Sequence, residues 1–145
     1  MTIEMSSRNI VLYADDDHDD LELVKDAFKE HSQNVQLITV MDGFQVLAYL
    51  KNLSPTDATP CLVILDINMP RLNGKDTLVQ LREMPRFKDV PAILFTTSTQ
   101  PRDKAFAQQY NAGFITKPID VAQLDLIASQ FIQHCADETR RDITK

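Results

Sequence analysis

Five short apolar runs alternate with amphipathic segments along the chain. The segments between the runs place apolar residues three or four positions apart, which is the spacing of one helix face. The clearest of these stripes runs from Val121 to Ile132. Runs rich in valine, isoleucine and leucine are typical of strands that helices cover on both faces. The predicted strands are residues 9–14, 35–40, 61–66, 92–97 and 113–116.

This alternation predicts an α/β fold. Strands separated by helices form a parallel sheet through right-handed crossovers. We predict a doubly wound, five-stranded parallel sheet with five helices. The strand order considered for it is the flavodoxin-like order 2-1-3-4-5. One domain would span residues 8–135, after an N-terminal extension (1–7) and before a charged C-terminal tail (136–145).

Composition is that of a single globular domain, with 145 residues, 43% apolar and 25% charged. A net charge of −6 argues against nucleic-acid binding, which needs clustered Lys and Arg. No apolar run has the length of a signal peptide core or a membrane span, so we expect a cytoplasmic protein without membrane contact. Cys61 and Cys135 lack metal-site spacing and are interpreted as core or surface thiols.

Chemically active residues follow the ends of four predicted strands. Asp15–Asp17 follow the first strand, Asp66 ends the third, Thr96 and Thr97 end the fourth, and Lys117 follows the fifth. In a doubly wound sheet, ligands bind beyond the carboxyl ends of the strands. The order 2-1-3-4-5 would therefore bring these side chains to one edge.

Such a set of side chains suits phosphoryl chemistry with a hard metal ion. Carboxylates without nearby His or Cys favour Mg²⁺, and we expect no organic cofactor. A lysine can hold a phosphate oxygen, and a carboxylate between metal and lysine can act as the nucleophile.

Four motifs in order resemble the response-regulator receiver domain, of the single-domain, chemotaxis-regulator type. They are "DD" at 15–16, "LDINMPRLNG" at 65–74, "PAILFTT" at 91–97 and "GFITKP" at 113–118, and the resemblance covers residues 8–134. The longer segment at 51–60 is similar to that of the response regulators that partner bacterial phytochromes.

The resemblance implies roles around a phosphoacceptor. Asp66 would take the phosphoryl group and help to bind Mg²⁺. Asp16 would bind the metal directly and Asp15 mainly through water. Asn68 would contribute its backbone carbonyl to the metal.

Three further residues would contact the phosphoryl group or respond to it. Thr96 would be the switch hydroxyl, although the adjacent Thr97 could also face the site. Lys117 would pair with a phosphoryl oxygen. Phe114 is either an ordinary core residue or an aromatic that changes position on activation.

Three residues would shape the loops of the site. Pro70 and Gly74 would shape the loop after Asp66. The peptide bond before Pro118 would be cis and aim Lys117 inward.

The resemblance implies a two-component signalling protein rather than an enzyme. A sensor histidine kinase or histidine phosphotransfer protein would donate the phosphoryl group. An unidentified output protein, or a second copy, would bind the surface formed by helix 4, strand 5 and helix 5. We expect no output domain in this chain, so that the protein would signal through that surface.

Three other classes compete with this interpretation. An aspartyl phosphatase would carry its nucleophile after the first strand, followed by a second Asp where Asn68 stands. A binding module that keeps only the fold would not need the complete acidic set. An FMN-binding protein would have Gly, Ser and Thr in the first loop, which here is acidic.

The acidic stretch Ala14–Asp20 is expected to serve two purposes. Asp15 and Asp16 would face the metal, while Asp17 would cap the first helix. Asp20, three residues after Asp17, would complete a variant of the capping box. Asp19 and Asp20 would also favour the positive end of the helix dipole.

Overall fold

Strands and helices alternate through the computed structural model, which describes residues 9–31, 35–118 and 120–144. The predicted N-terminal extension, residues 1–7, lies outside the described residues. The strands are β1 Asn9–Ala14, β2 Val35–Val40, β3 Leu62–Leu65, β4 Ala92–Thr96 and β5 Gly113–Thr116. The helices are α1 His18–His31, α2 Gly43–Lys51, α3 Gly74–Glu83, α4 Pro101–Gln109 and α5 Val121–Thr144.

All five strands form one parallel sheet in the order β2-β1-β3-β4-β5. The predicted fold class, strand order and number of helices are therefore confirmed. In the register, Ala14 of β1 lies opposite Leu65 of β3, and Thr96 of β4 lies opposite Thr116 of β5. The residues that follow these strands consequently meet at one edge.

Alternate residues of each strand enter two separate cores, one on each face of the sheet. Leu12 of β1 and Leu65 of β3 face the core beneath α2, α3 and α4. Tyr13 and Ile64 face the other core, against α1 and α5. Strands buried on both faces explain why the sequence shows continuous apolar runs instead of an alternating pattern.

Cys61 and Cys135 form a disulfide, with their Cα atoms 5.5 Å apart, so the prediction of two free thiols is wrong. Cys61 directly precedes β3, and Cys135 is fully buried on α5. Helix and strand bring together residues that are 74 positions apart, a proximity that neither local sequence reveals.

Helix α5 continues to Thr144, through most of the segment that the sequence predicts as a separate charged tail (136–145). Asp42 caps α2 and Asn73 caps α3, each by accepting a hydrogen bond from a backbone N–H of the first turn. Within the described part of the chain, no helix is both long and apolar enough to span a bilayer.

Candidate functional site

Three carboxylates converge where β1 and β3 end. The backbone N–H of Asp66 donates to the carbonyl of Ala14 (3.0 Å), which aligns the two strand ends. One carboxylate oxygen from each of Asp15, Asp16 and Asp66 lies within 4.8 Å of the others. Asp15 and Asp66 are buried, while Asp16 is exposed. The predicted acidic cluster is thus assembled, and its all-carboxylate donors fit a hard divalent cation.

Lys117 reaches the same cluster from the end of β5. Its backbone N–H donates to the carbonyl of Thr96 (2.7 Å) and extends the pairing of β4 with β5. The side-chain Nζ lies 2.6 Å from Asp15 Oδ2 and 3.3 Å from Asp66 Oδ2. Burial alone would lower the pKa of Lys117, but hydrogen bonds to Asp15 and Asp20 outweigh it and raise the pKa.

The described residues contain no cis peptide bond, so the bond between Lys117 and Pro118 is trans and the prediction of a cis bond is wrong. The ladder bond from Lys117 to Thr96 already fixes the backbone, and the long side chain reaches Asp66 from this trans conformation.

Asp20 is a site residue that the sequence interpretation missed. Its Oδ2 lies 2.7 Å from Lys117 Nζ. Asp17 caps α1 as predicted, since its Oδ1 accepts from the N–H groups of Asp19 (2.9 Å) and Asp20 (3.2 Å). The reciprocal half of the predicted capping box is wrong, because the N–H of Asp17 donates to Asp15 Oδ1 (3.0 Å).

Tyr13 is a second residue that the sequence did not reveal. Its buried hydroxyl donates to Asp15 Oδ2 at 2.5 Å. Burial and the negative charge of Asp15 raise the pKa of Tyr13 far above its usual value, so the phenol stays protonated. Tyr13 lies within an apolar run of the sequence, and nothing in that run indicates that its hydroxyl extends past the end of the strand to Asp15.

Burial raises the pKa of Asp66 to about 6. The ammonium of Lys117 opposes this shift, while the negative charge of Asp15 adds to it. A carboxylate that is partly desolvated and faces a lysine is a typical arrangement for a functional nucleophile.

Thr96 and Thr97 differ sharply in their surroundings. Thr96 is fully buried at the end of β4, and its hydroxyl accepts a hydrogen bond from the backbone N–H of Ser98 (3.3 Å). Thr97 is exposed. The position of Thr96 beside Lys117 in the ladder favours Thr96 as the residue that faces the acceptor edge.

A half-buried ion pair anchors the segment that follows Thr96. Asp103 of α4 pairs with Lys75 of α3, and Ser98 Oγ donates to Asp103 Oδ2 at 2.5 Å. Hydrogen bonds from Lys75 and Ser98 lower the pKa of Asp103. These contacts connect the loop after β4 to α3, the helix that follows Asp66. No local sequence pattern predicts them.

Gly74 is required by the closeness of α3 to the acceptor. Its N–H donates to the carbonyl of Ile67 (3.0 Å), and a Cβ built on it would lie 2.1 Å from the backbone oxygen of Asp66. Asn68 and Pro70, between Asp66 and Gly74, are exposed. A backbone N–H of Asn68 bonds the Asp66 carboxylate, which acts to lower the Asp66 pKa.

A salt bridge to Asp42 also supports this loop. Arg71 has a left-handed backbone (φ 66°), which a non-glycine residue adopts at a cost. Its guanidinium pairs with the buried carboxylate of Asp42, with Nε 3.0 Å from Oδ2. Burial would raise the Asp42 pKa, but the N–H of Gln45 and the Arg71 guanidinium outweigh it and lower the pKa.

Phe114, in the middle of β5, is half-buried and packs against the core beneath α2, α3 and α4. This is the conformation of an ordinary core residue. The alternative, movement on activation, concerns a second state of the protein and stays a prediction.

Comparisons with known proteins agree with this fold. Response regulator Rcp1 of Synechocystis sp. is 25% identical over 127 residues, covering 86% of each chain. The phosphorylated cyanobacterial phytochrome response regulator RcpA superposes with a TM-score of 0.77 at 24% identity, covering 86% of this chain and 91% of that one. The Mn²⁺-bound form of Rcp1 gives a TM-score of 0.74 at 24% identity, with coverages of 84% and 90%.

The family model of the response regulator receiver domain matches residues 11–129. This range contains all five strands except the first two residues of β1. With five parallel strands in the order 2-1-3-4-5 and the acidic cluster at their carboxyl edge, the chain belongs to the response regulator receiver domains of two-component signalling.

Proposed function

We propose that this receiver domain accepts a phosphoryl group on Asp66 from a phosphohistidine of a sensor kinase or a histidine phosphotransfer protein. The observation that carries the proposal is the position of Asp66, whose carboxylate lies beside those of Asp15 and Asp16 and 3.3 Å from the Nζ of Lys117. A nucleophile that adjoins both a cation site and a lysine can approach a phosphoryl group whose charge these two neutralise.

The proposed metal is Mg²⁺, held by Asp15, Asp16 and Asp66 together with the backbone carbonyl of Asn68. When bound, the ion neutralises charge on the phosphoryl oxygens. Both oxygens of Asp15 already accept protein hydrogen bonds, from Asp17 N–H and from Tyr13, which supports contact with the metal through water. Asp16 is exposed and suits direct contact.

In the proposed transfer, an oxygen of Asp66 forms a bond to phosphorus while the phosphorus–nitrogen bond to the donor imidazole breaks. The imidazole leaves with the electron pair and recovers a proton from solvent. Lys117 holds one phosphoryl oxygen, and the hydroxyl of Thr96 turns towards another. The domain then carries an acyl phosphate and acts on no other substrate.

The signal would leave through the movement of the loop after β4. The Thr96 hydroxyl accepts the backbone N–H of Ser98, and Ser98 Oγ is bonded to Asp103 of α4, so a rotation of Thr96 towards the phosphoryl group would disturb this chain of contacts. A change at Thr96 therefore reaches α4 directly. We propose that α4, β5 and α5, including Phe114, form the phosphorylation-dependent surface for an output protein or a second copy, in the cytoplasm.

The experiment is phosphorylation by a small donor, acetyl phosphate or phosphoramidate, with Mg²⁺, followed by intact mass measurement. The wild-type protein is expected to gain one phosphoryl group, and Asp66→Asn none. Asp89→Asn, which removes an exposed carboxylate after α3, serves as the matched control and should behave as wild type. Equal labelling of Asp66→Asn would show that another residue is the acceptor.

A further inference from the structure

Asp20 lies closer to Lys117 than the proposed acceptor does. The Nζ of Lys117 is 2.7 Å from Asp20 Oδ2 and 3.3 Å from Asp66 Oδ2. Asp20 belongs to the first turn of α1, whereas Lys117 follows β5, so the contact joins two elements across the mouth of the site. None of the receiver roles described above involves this carboxylate.

The hydrogen-bonding capacity of Lys117 is fully used. An ammonium group has three N–H donors, and three carboxylates, those of Asp15, Asp20 and Asp66, lie within bonding distance of this one. A phosphoryl oxygen on Asp66 that bonds Lys117 therefore competes with the other carboxylates that already hold the ammonium.

Asp20 is the partner that can be displaced at least cost. The Asp15 side chain is 0% exposed, and a carboxylate that loses its partner in such a place stays desolvated. Asp66 is itself the proposed acceptor, so it carries the phosphoryl oxygens to Lys117 and does not compete with them. The Asp20 side chain is 32% exposed at the rim and can return to water. Its carboxylate also stands outside the acidic cluster that would hold the cation.

We propose that Asp20 is a positioning residue that restrains Lys117 before phosphoryl transfer and competes with the phosphoryl oxygens for its ammonium. The proposal rests on the proposed function of Asp66. Asp20 thereby opposes the phosphorylated arrangement and helps to set the balance between the two states. This role is separate from helix capping, which Asp17 performs.

Asp19 provides a matched control on the same turn of the same helix. It is an exposed aspartate beside Asp20, and it is not among the carboxylates that bond Lys117 in the described residues. Asp19→Asn and Asp20→Asn each remove one charge near the N-terminus of α1. A difference between the two variants therefore measures the contact with Lys117 rather than net charge or the helix dipole.

The test is titration of beryllofluoride, an anion that mimics the phosphoryl group, at saturating Mg²⁺. Asp20→Asn is expected to bind it about three- to tenfold more tightly than wild type, because a competing charge-assisted hydrogen bond is lost. Asp19→Asn should stay within about twofold of wild type. Asp20→Ser, a second neutral variant, should reproduce the effect of Asp20→Asn.

A spectroscopic readout separates restraint from a general change in stability. In the metal-free protein, the ¹⁵N signal of the Lys117 ammonium, assigned by its loss in Lys117→Arg, should shift in Asp20→Asn and stay in place in Asp19→Asn. Beryllofluoride binding by Asp20→Asn that equals or falls below that of Asp19→Asn would overturn the proposal. If wild type and Asp66→Asn both fail to bind beryllofluoride, the proposed function itself is wrong.

Discussion

The phenol oxygen of Tyr13 lies 2.5 Å from Oδ2 of Asp15, and the same carboxylate oxygen accepts from Lys117 at 2.6 Å. A residue of the core thus holds the innermost carboxylate of the acidic cluster. Because the other oxygen of Asp15 accepts the N–H of Asp17, the side chain is fixed on both sides.

Tyr13→Phe removes this donor and keeps the ring. We expect the free energy of unfolding to fall by about 1.5–3 kcal/mol, since a buried carboxylate loses a charge-assisted hydrogen bond. Urea denaturation of the metal-free protein measures the change. Tyr110→Phe is the control, because it removes a hydroxyl from a ring that packs on Phe106 at the end of α4. Equal stability of Tyr13→Phe and wild type would contradict the expected role.

Adjacent aspartates after β1 should separate metal binding from helix capping. Asp16→Ala is expected to weaken Mg²⁺ binding, because it removes the exposed member of the cluster. Asp17→Ala should lower the free energy of unfolding by about 1 kcal/mol, since two backbone N–H groups of α1 lose their acceptor. Calorimetric titration with Mg²⁺ and urea denaturation distinguish the two. Loss of Mg²⁺ binding in Asp17→Ala alone would reverse the assignment.

The raised pKa of Asp66 gives a defined pH dependence. A carboxyl whose pKa in the folded protein, about 6, exceeds its usual value near 3.8 favours folding while it is protonated, and this contribution is lost as the pH rises through about 6. In the absence of metal, Asp66→Asn should therefore be more stable than wild type at pH 7.5. The difference should shrink as the pH falls to about 4.

Urea denaturation of both proteins in EDTA across this pH range provides the measurement. Asp89→Asn again serves as the control, because its carboxylate is exposed and the variant should follow wild type throughout. A stability difference for Asp66→Asn that is constant with pH would show that Asp66 titrates normally.

Reduction of the Cys61–Cys135 disulfide should destabilise the protein. A bond across 74 positions lowers the entropy of the unfolded chain, which in the loop-entropy treatment corresponds to about 4 kcal/mol. Denaturation with and without dithiothreitol measures the loss, and a Cys61→Ser/Cys135→Ser variant should be insensitive to the reductant. An unchanged midpoint in the wild type would indicate that the thiols are free in solution.

Local patterns in the sequence were sufficient for the strands. The strand order did not follow from them, but with the order 2-1-3-4-5 of the family that the motifs resemble, they predicted the convergence of Asp15, Asp16, Asp66 and Lys117. These features depend on periodicity and on residues that directly follow strands. The contact between Asp20 and Lys117 joins residues 97 positions apart and depends on the exact rotation of α1 over the sheet. The contacts of Tyr13 and of the cysteines were missed for the same reason: tertiary packing decides each pairing, and the hydrophobic periodicity of the sequence does not reveal it.

The disulfide divides the chain into a covalently closed part and an open N-terminal part, a division that the strand order does not show. It closes residues 61–135 into a covalent ring that carries Asp66, Thr96 and Lys117, while β1, α1, β2 and α2 form an open arm. Asp15, Asp16 and Asp20 belong to the arm. The cation site and the restraint on Lys117 therefore exist only while the arm is docked, and a partial unfolding that releases it would leave the acceptor without either.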